Sequence, residues 1–326
     1  MNQEDRAFTY LLSGPTLSRS NIKDTVSHLN EMNDSIRGLN KENSLVIVTY
    51  EYERNREWRN LSKEVKLLFV PDPGADSMTP VKGRTRTEVN LTRMYRTTLK
   101  GLSIADGYWT VKTRIELLPA VGKIDLHIEY LTECINRMVE MNNKCTMAFI
   151  HGHYNGPSSP RKGVILWIPD TLQVMRTKEA QILWEEAHRF WLMYKTTDFF
   201  NKKTFLASEQ IIGASYFSEF FGFDKSDVST RDYFSYLGFK QNYVAEQKLF
   251  LFMDFKKLSV TESKFEKRLS ESEVYLKKPL IDSYYGKLFE IIFRRFFTRF
   301  APAFLYYIDS LRLKIRRAIK RSTEEE

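Results

Sequence analysis

The sequence is poor in the features that would place it quickly. It has two cysteines in 326 residues, Cys134 and Cys145, with no Cys-x-x-Cys spacing. That argues against a disulfide framework and against a zinc knuckle, and it suits a reducing compartment. No run of 18 apolar residues occurs, which excludes a helix crossing a bilayer. The start, Met1-Asn2-Gln3-Glu4-Asp5-Arg6, is polar and does not read as a secretory signal. There is no G-x-G-x-x-G and no G-x-x-x-x-G-K-[ST], so a dinucleotide fingerprint and a P-loop are both missing. No internal repeat or low-complexity tract is present. Hydrophobic residues make up 42% of the chain, enough for a core.

What is present is an uneven charge. The net charge of +9 sits almost wholly in one segment: residues 277–321 hold twelve basic side chains against three acidic ones. Glu324–Glu326 close the chain with three more acids, and the first 276 residues carry only +3. A nearly neutral body weakens a nucleic-acid reading, which expects a basic face on the folded domain. The basic segment is also greasy. In KLFEIIFRRFFTRFA (287–301), Leu288, Phe289, Ile292, Phe293, Phe296, Phe297 and Phe300 take one side of a helix, and Lys287, Arg294, Arg295 and Arg299 the other. Pro302 interrupts, and Phe304, Ile308, Leu311 and Ile315 begin a second stripe. Such helices suit the interface of an anionic membrane; a helical pair docked on the body is the alternative. The expectation is a peripheral protein on the inner, cytoplasmic face of the cell membrane, with no nucleic acid as partner.

The body reads as strands alternating with helices. Strands are expected at 7–12, 45–50, 65–70, 108–114, 145–151, 163–168 and 248–254, and helices near 22–39, 86–102, 122–142 and 177–193, with helical pattern from 207 to 247. The β-branched run Leu45–Tyr50 is typical of a buried parallel strand. The expected fold is α/β with a mostly parallel sheet flanked by helices, over residues 1–255, followed by a linker and the amphipathic helices over 256–326.

Ligands of open parallel sheets bind beyond the C-terminal ends of the strands. Those ends carry Ser13-Gly14, Tyr50-Glu51, Asp72-Pro73-Gly74 and Arg114-Ile115-Glu116. On the helix near 86–102, Arg86, Asn90, Arg93 and Thr97 fall within about 60° of one another. That stripe meets either solvent or a cleft, and an arginine beside an amide there would suit phosphate or sugar. Three acids are candidates for chemistry or for turns and caps: Glu209 at a helix start, Asp170 after Trp167-Ile168-Pro169, and Asp72. His151 and His153 lack a third metal ligand nearby in sequence.

The order of Asp72-Pro73-Gly74, Asn90-x-x-Arg93, Thr97-Thr98-x-x-Gly101-Leu102 and Trp109–Glu116 resembles the WavE-type glycosyltransferases of lipopolysaccharide synthesis. Trp167–Asp170 and Ser208-Glu209-Gln210 extend the likeness to about residues 7–220. The resemblance implies a GT-A-like fold and transfer of a sugar from a nucleotide-sugar donor to a lipid-linked or growing cell-surface glycan, in lipopolysaccharide or capsule synthesis. It implies donor-binding roles for Ser13, Gly14, Tyr50, Glu51, Asp72, Asn90, Arg93 and Arg114. Glu209 and Asp170 are then the candidates for the base that deprotonates the acceptor. Glu116 stands where such enzymes keep a metal-binding D-x-D. A single carboxylate there leaves Mg2+ or Mn2+ to be held largely by donor phosphates and water. A membrane-associated scaffold with the same fold and no activity is the alternative.

Overall fold

The computed structural model of the chain describes residues 6–15, 22–77, 88–141, 146–150, 168, 170–196, 208–221, 250–253 and 258. Seven strands form the main sheet: β1 (Phe8–Ser13), β2 (Ser44–Tyr50), β3 (Lys66–Val70), β4 (Trp109–Arg114), β5 (Met147–Ile150), β6 (Leu172–Arg176) and β7 (Phe250–Met253). Their spatial order is β3-β2-β1-β4-β6-β5-β7. All neighbours pair in parallel except β6, which runs antiparallel to β4 and to β5. Among the described residues five helices cover the sheet: α1 (Ile22–Leu39), α2 (Leu91–Leu102), α3 (Ile124–Glu140), α4 (Thr177–Thr196) and α5 (Ser208–Phe221). This is the mostly parallel sheet flanked by helices expected from the sequence.

Each face of the sheet has its own core, because alternate strand residues point to opposite faces. Phe8, Tyr10 and Leu12 of β1, with Trp109 and Val111 of β4, pack against Val26, Leu29, Met32 and Ile36 of α1 and Ile128, Leu131 and Ile135 of α3. Leu11, Val46 and Val48 face the other way, toward Tyr95 of α2, Trp184, Phe190 and Trp191 of α4, and Ile211 and Ile212 of α5. A parallel sheet covered on both faces needs the near-continuous apolar strands seen in β2. Leu258, just past the expected end of the body, is buried in the first of these cores.

Two glycines are fixed by close approach. Gly101 of α2 lies over β1, where an added Cβ would fall 2.1 Å from Leu11 Cδ1. Gly107, in the turn before β4, would place a Cβ 2.4 Å from the Thr9 amide nitrogen and 2.5 Å from the Phe8 carbonyl carbon. Backbone cannot yield as a side chain can. Gly107→Ala is therefore expected to destabilise the protein by about 2–3 kcal/mol, read as a lower urea midpoint at unchanged slope. Gly101→Ala meets only the flexible end of a leucine and should cost less.

The structure differs from the sequence expectation at several places. Strand β6 was not expected; its buried Gln173 and five-residue length give it no clear alternation. Helix α2 begins at Leu91, with Asn90 at its N-cap. Its first turn is capped from a distance: Asp76 accepts the Thr92 amide (2.8 Å), the Thr92 hydroxyl (2.5 Å) and Lys195 Nζ (3.0 Å). Asp76 lies in a two-residue ladder, Asp76–Ser77 with Glu88–Val89. Cys134 is buried in the first core. The expected strand at 163–168, His151 and His153, Cys145, the helical pattern beyond Phe221 and the basic amphipathic helices lie outside the described residues, apart from Ile168, which is in no strand. No described helix is long and apolar enough to cross a membrane.

Candidate functional site

The strand register lines up four C-terminal ends. Val70 pairs with Tyr50, Val48 with Ser13, and Ser13 with Arg114, so the ends of β3, β2, β1 and β4 form one edge. Ser13 is buried, its hydroxyl 3.4 Å from Thr98 Oγ1 of α2 and 3.5 Å from the Thr113 carbonyl oxygen. Gly14 donates its amide to Val48 O (3.1 Å). Its φ of +117° favours glycine, and a Cβ there would meet nothing within 4 Å. Among the described residues nothing covers the backbone here, a setting in which a ligand can approach the main chain.

At the β2 and β3 ends an aromatic pair meets an ion pair. The Tyr50 and Tyr52 rings stack at 5.4 Å, with 11° between their planes. Tyr50 is buried and Tyr52 is 55% exposed, so the stack presents its outer ring to solvent. Burial, then the neighbouring Tyr52 and Asp72, raise the Tyr50 phenol above its ordinary pKa; Arg93 and a hydrogen bond with Thr97 act the other way. Asp72 grips Arg93 through two bonds of 2.6 Å, from Nε and Nη2, while Arg93 Nη1 donates to Asn90 Oδ1 at 2.8 Å. Asp72 also accepts the Gly74 amide at 3.0 Å, the local bond of an Asx turn. The Arg93 hydrogen bonds lower the Asp72 carboxyl pKa most, against a smaller opposing effect of burial. The two short motifs that stood apart in sequence are thus one bidentate unit. Thr97 points inward, bonded to the Arg93 and Met94 carbonyls, and is buried rather than exposed. Glu51 opens the turn Glu51–Glu53 and is exposed. Among the described residues, no hydrogen bond joins its carboxylate to the others.

The β4 end gathers the second group. Asp170 and Glu209, far apart in sequence, come together beside Arg114. Helix α5 packs on α4, and the Glu209 carbonyl accepts the Ile168 amide at 3.3 Å, tying the start of α5 to the segment entering β6. Burial pushes the Glu209 carboxyl up to about 7, the Asp170 carboxylate adds to the rise, and Ser208 and Arg114 oppose it. The Ser208 hydroxyl donates to Glu209 Oε2 at 2.9 Å.

Two residues that the sequence reading did not single out complete this end. Lys112 of β4 is almost fully buried, donates to the Asp170 carbonyl oxygen and lies 4.6 Å from the Trp184 ring centroid. Tyr95 of α2 is fully buried, and its hydroxyl has no hydrogen-bond partner among the described residues. Burial raises its pKa well above the ordinary value, with Asp170, Glu209 and Asp76 adding to the rise. The strand alternation in Trp109–Arg114 places Thr110, Lys112 and Arg114 on one face, and that was the available signal for Lys112.

Among the described residues no three His, Cys, Asp or Glu side chains converge as a metal cluster. Glu116 lies in the turn Ile115–Leu117 after β4, and its side chain is outside the described set. The described residues alone therefore do not build a multi-ligand site for Mg2+ or Mn2+.

No protein-family model matches the sequence, and no curated protein matches it. The resemblance to the WavE-type family therefore rests on its motifs. Among solved structures, the chain is similar to a 4-diphosphocytidyl-2C-methyl-D-erythritol synthase from Anaerococcus prevotii, with 11% identity and a TM-score of 0.36 over 84% of this chain and 100% of that one. It is also similar to a mannosyltransferase from Pyrobaculum calidifontis in complex with GDP-Man and Mn2+, with 10% identity and a TM-score of 0.37 over 96% of this chain and 75% of that one. Both TM-scores are below 0.5, so neither likeness bears on the chemistry.

Proposed function

We propose that the protein is a glycosyltransferase that moves a sugar from a nucleotide-activated donor to a hydroxyl acceptor. The observation that carries this reading is the convergence of Arg114, Asp170 and Glu209 at the β4 end, on the same edge as Gly14 and the Tyr50–Tyr52 stack. The open edge at Gly14 and the aromatic face suit a nucleoside, and Arg114 suits its diphosphate. The Asp72–Arg93–Asn90 unit shapes the β3 side of the same edge. In the transfer, ionised Glu209 takes the acceptor hydroxyl proton as the acceptor oxygen bonds to the sugar's anomeric carbon. The bond from that carbon to the donor phosphate breaks, and its electron pair leaves with the nucleoside diphosphate beside Arg114. A carboxyl titrating near neutrality is suited to general base work. Asp170 raises the basicity of Glu209 by its charge. A divalent cation, if used, would be held by Glu116 together with donor phosphate oxygens, and would supply charge neutralisation of the leaving group.

The finer reading is a lipid-linked or growing surface glycan as acceptor, as in lipopolysaccharide or capsule synthesis, with the basic amphipathic segment of 287–321 holding the enzyme on the inner membrane face. A lipid-linked acceptor supports this economy, since both reactants would share one surface. The test is transfer and donor hydrolysis across a panel of nucleotide-sugars, with and without Mn2+, plus calorimetry with nucleoside diphosphates. Turnover of one donor is expected. Neither turnover nor diphosphate binding would favour the scaffold alternative. Flotation with vesicles containing anionic lipid, with and without residues 277–326, tests the membrane placement; equal flotation of both forms would remove the tail from it.

A further inference from the structure

We propose that Lys112 is a positioning residue for the Asp170–Glu209 pair, holding the Asp170 main chain and placing a buried positive charge on the sheet side of the pair. A lysine in the middle of a sheet is exceptional, because an isolated ammonium is costly to bury unless other charges compensate it. Here the side chain is 1% exposed and runs under α4, with its ammonium on the Asp170 carbonyl and over the Trp184 ring. Trp184 is itself held, its indole donating to Gln173 Oε1 at 3.1 Å, and Gln173 is the direct cross-strand neighbour of Lys112. Thr113, next along β4, donates to the Thr171 carbonyl at 3.0 Å. Consecutive β4 side chains thus clamp consecutive carbonyls of the segment that carries Asp170, fixing where its carboxylate faces Glu209. The groups bearing on Glu209 are Asp170 from that segment, Arg114 at the β4 end, Ser208 on its own helix and Tyr95 from α2. Lys112 adds a cation on the sheet side, bonded to the Asp170 carbonyl oxygen. A nearby cation favours the ionised carboxylate, which keeps the base usable near neutral pH.

This inference deepens the glycosyltransferase reading, and its test does not depend on turnover. Carbon-13 detection of side-chain carboxyl groups, with the Glu209 signal identified by its loss in Glu209→Gln, gives the Glu209 titration midpoint directly. Lys112→Met keeps the stem against Trp184 and removes the charge; the midpoint is expected to rise by about one pH unit. Lys112→Arg restores the charge and should hold the midpoint close to that of the unaltered protein. An unchanged midpoint in folded Lys112→Met would overturn the proposal. If that variant does not fold, the unaltered protein still decides. The Lys112 ammonium should give a slowly exchanging nitrogen-15 signal that shifts as Glu209 titrates and loses that shift in Glu209→Gln. No linked shift also overturns it. Failure of every donor assay alongside the expected titrations would remove the glycosyltransferase reading and leave the role of Lys112 standing.

Discussion

Replacing Glu209 by glutamine is expected to lower kcat for sugar transfer by about 10²–10⁴-fold, the usual worth of a positioned general base. Nucleoside diphosphate affinity should change by no more than about threefold, because the base acts on the acceptor and only one state of the reaction needs it. In the unaltered enzyme kcat should rise with pH through about 7, the value to which burial and Asp170 push the Glu209 carboxyl. The glutamine variant should lose that limb. A variant with full kcat and an unchanged profile would sink the assignment of the base.

The same substitution should make the protein more stable at pH 8. There the native state holds Glu209 ionised in a half-buried place beside Asp170, whereas the unfolded chain holds it ionised in water. Its raised pKa is therefore a cost carried by the fold above neutrality, roughly 1–3 kcal/mol. A glutamine in its place carries no charge and escapes that cost. Lower activity with a higher urea midpoint is the expected pattern for a group kept for chemistry rather than for folding. The opposite pattern, lower stability with activity intact, would describe a helix N-terminal acid with no chemistry.

How much of this was legible in the sequence differs between elements. The spacing of Val26, Leu29, Met32 and Ile36 and the β-branched run of β2 reported α1 and a buried strand directly, since both depend on local period. Strand β6 was not legible because it runs antiparallel within an otherwise parallel sheet, and its place is decided by pairing with β4 and β5. The strand ends gave their residue types, but not their partners. Asp72 and Arg93 reveal themselves as one unit only when α2 is laid on the sheet. Asp170 and Glu209 meet because α5 packs on α4. Lys112 is the sharpest case: between Val111 and Thr113 on a strand it carries no local sign of burial, and only the packing of Trp184 over it makes it a buried lysine. Period and turn chemistry are written locally, whereas charge pairing is written in the tertiary contacts.

A second group gives the fold an acid sensitivity that Glu209 masks. His127 of α3 lies between Tyr10 and Leu258, with Nε2 2.8 Å from the Tyr10 hydroxyl and Nδ1 2.6 Å from the Leu258 carbonyl oxygen. The carbonyl can only accept, so Nδ1 carries the proton, Nε2 accepts from the tyrosine, and the ring is neutral. Burial lowers its pKa from 6.5 to about 4. Above pH 6.5 both native and unfolded states hold the ring neutral. Between 6.5 and 4 the unfolded chain takes up a proton that the native state refuses, so stability falls as pH falls, by about 3 kcal/mol in full. Glu209 acts oppositely over nearly the same range, because the native state takes up its proton first and its cost is relieved on acidification. The two effects offset one another in the unaltered protein, and His188, its pKa lowered by burial, and Glu179, its pKa raised by burial, add to the His127 and Glu209 sides respectively. In Glu209→Gln the cancellation ends, and stability should drop by about 2–3 kcal/mol between pH 7.5 and 4.5. In His127→Gln, which starts from a lower stability at pH 7.5, it should instead rise by about 1–3 kcal/mol over that interval. The carboxylates with lowered pKa, Asp72, Asp76 and Asp106, release their stabilisation only below their ordinary 3.8, outside this window. Urea midpoints taken at constant slope across the interval separate the cases. Parallel pH curves for the two variants would show that neither group is held as described. Opposite slopes would show that the buried histidine and the half-buried acid balance one another in the native state.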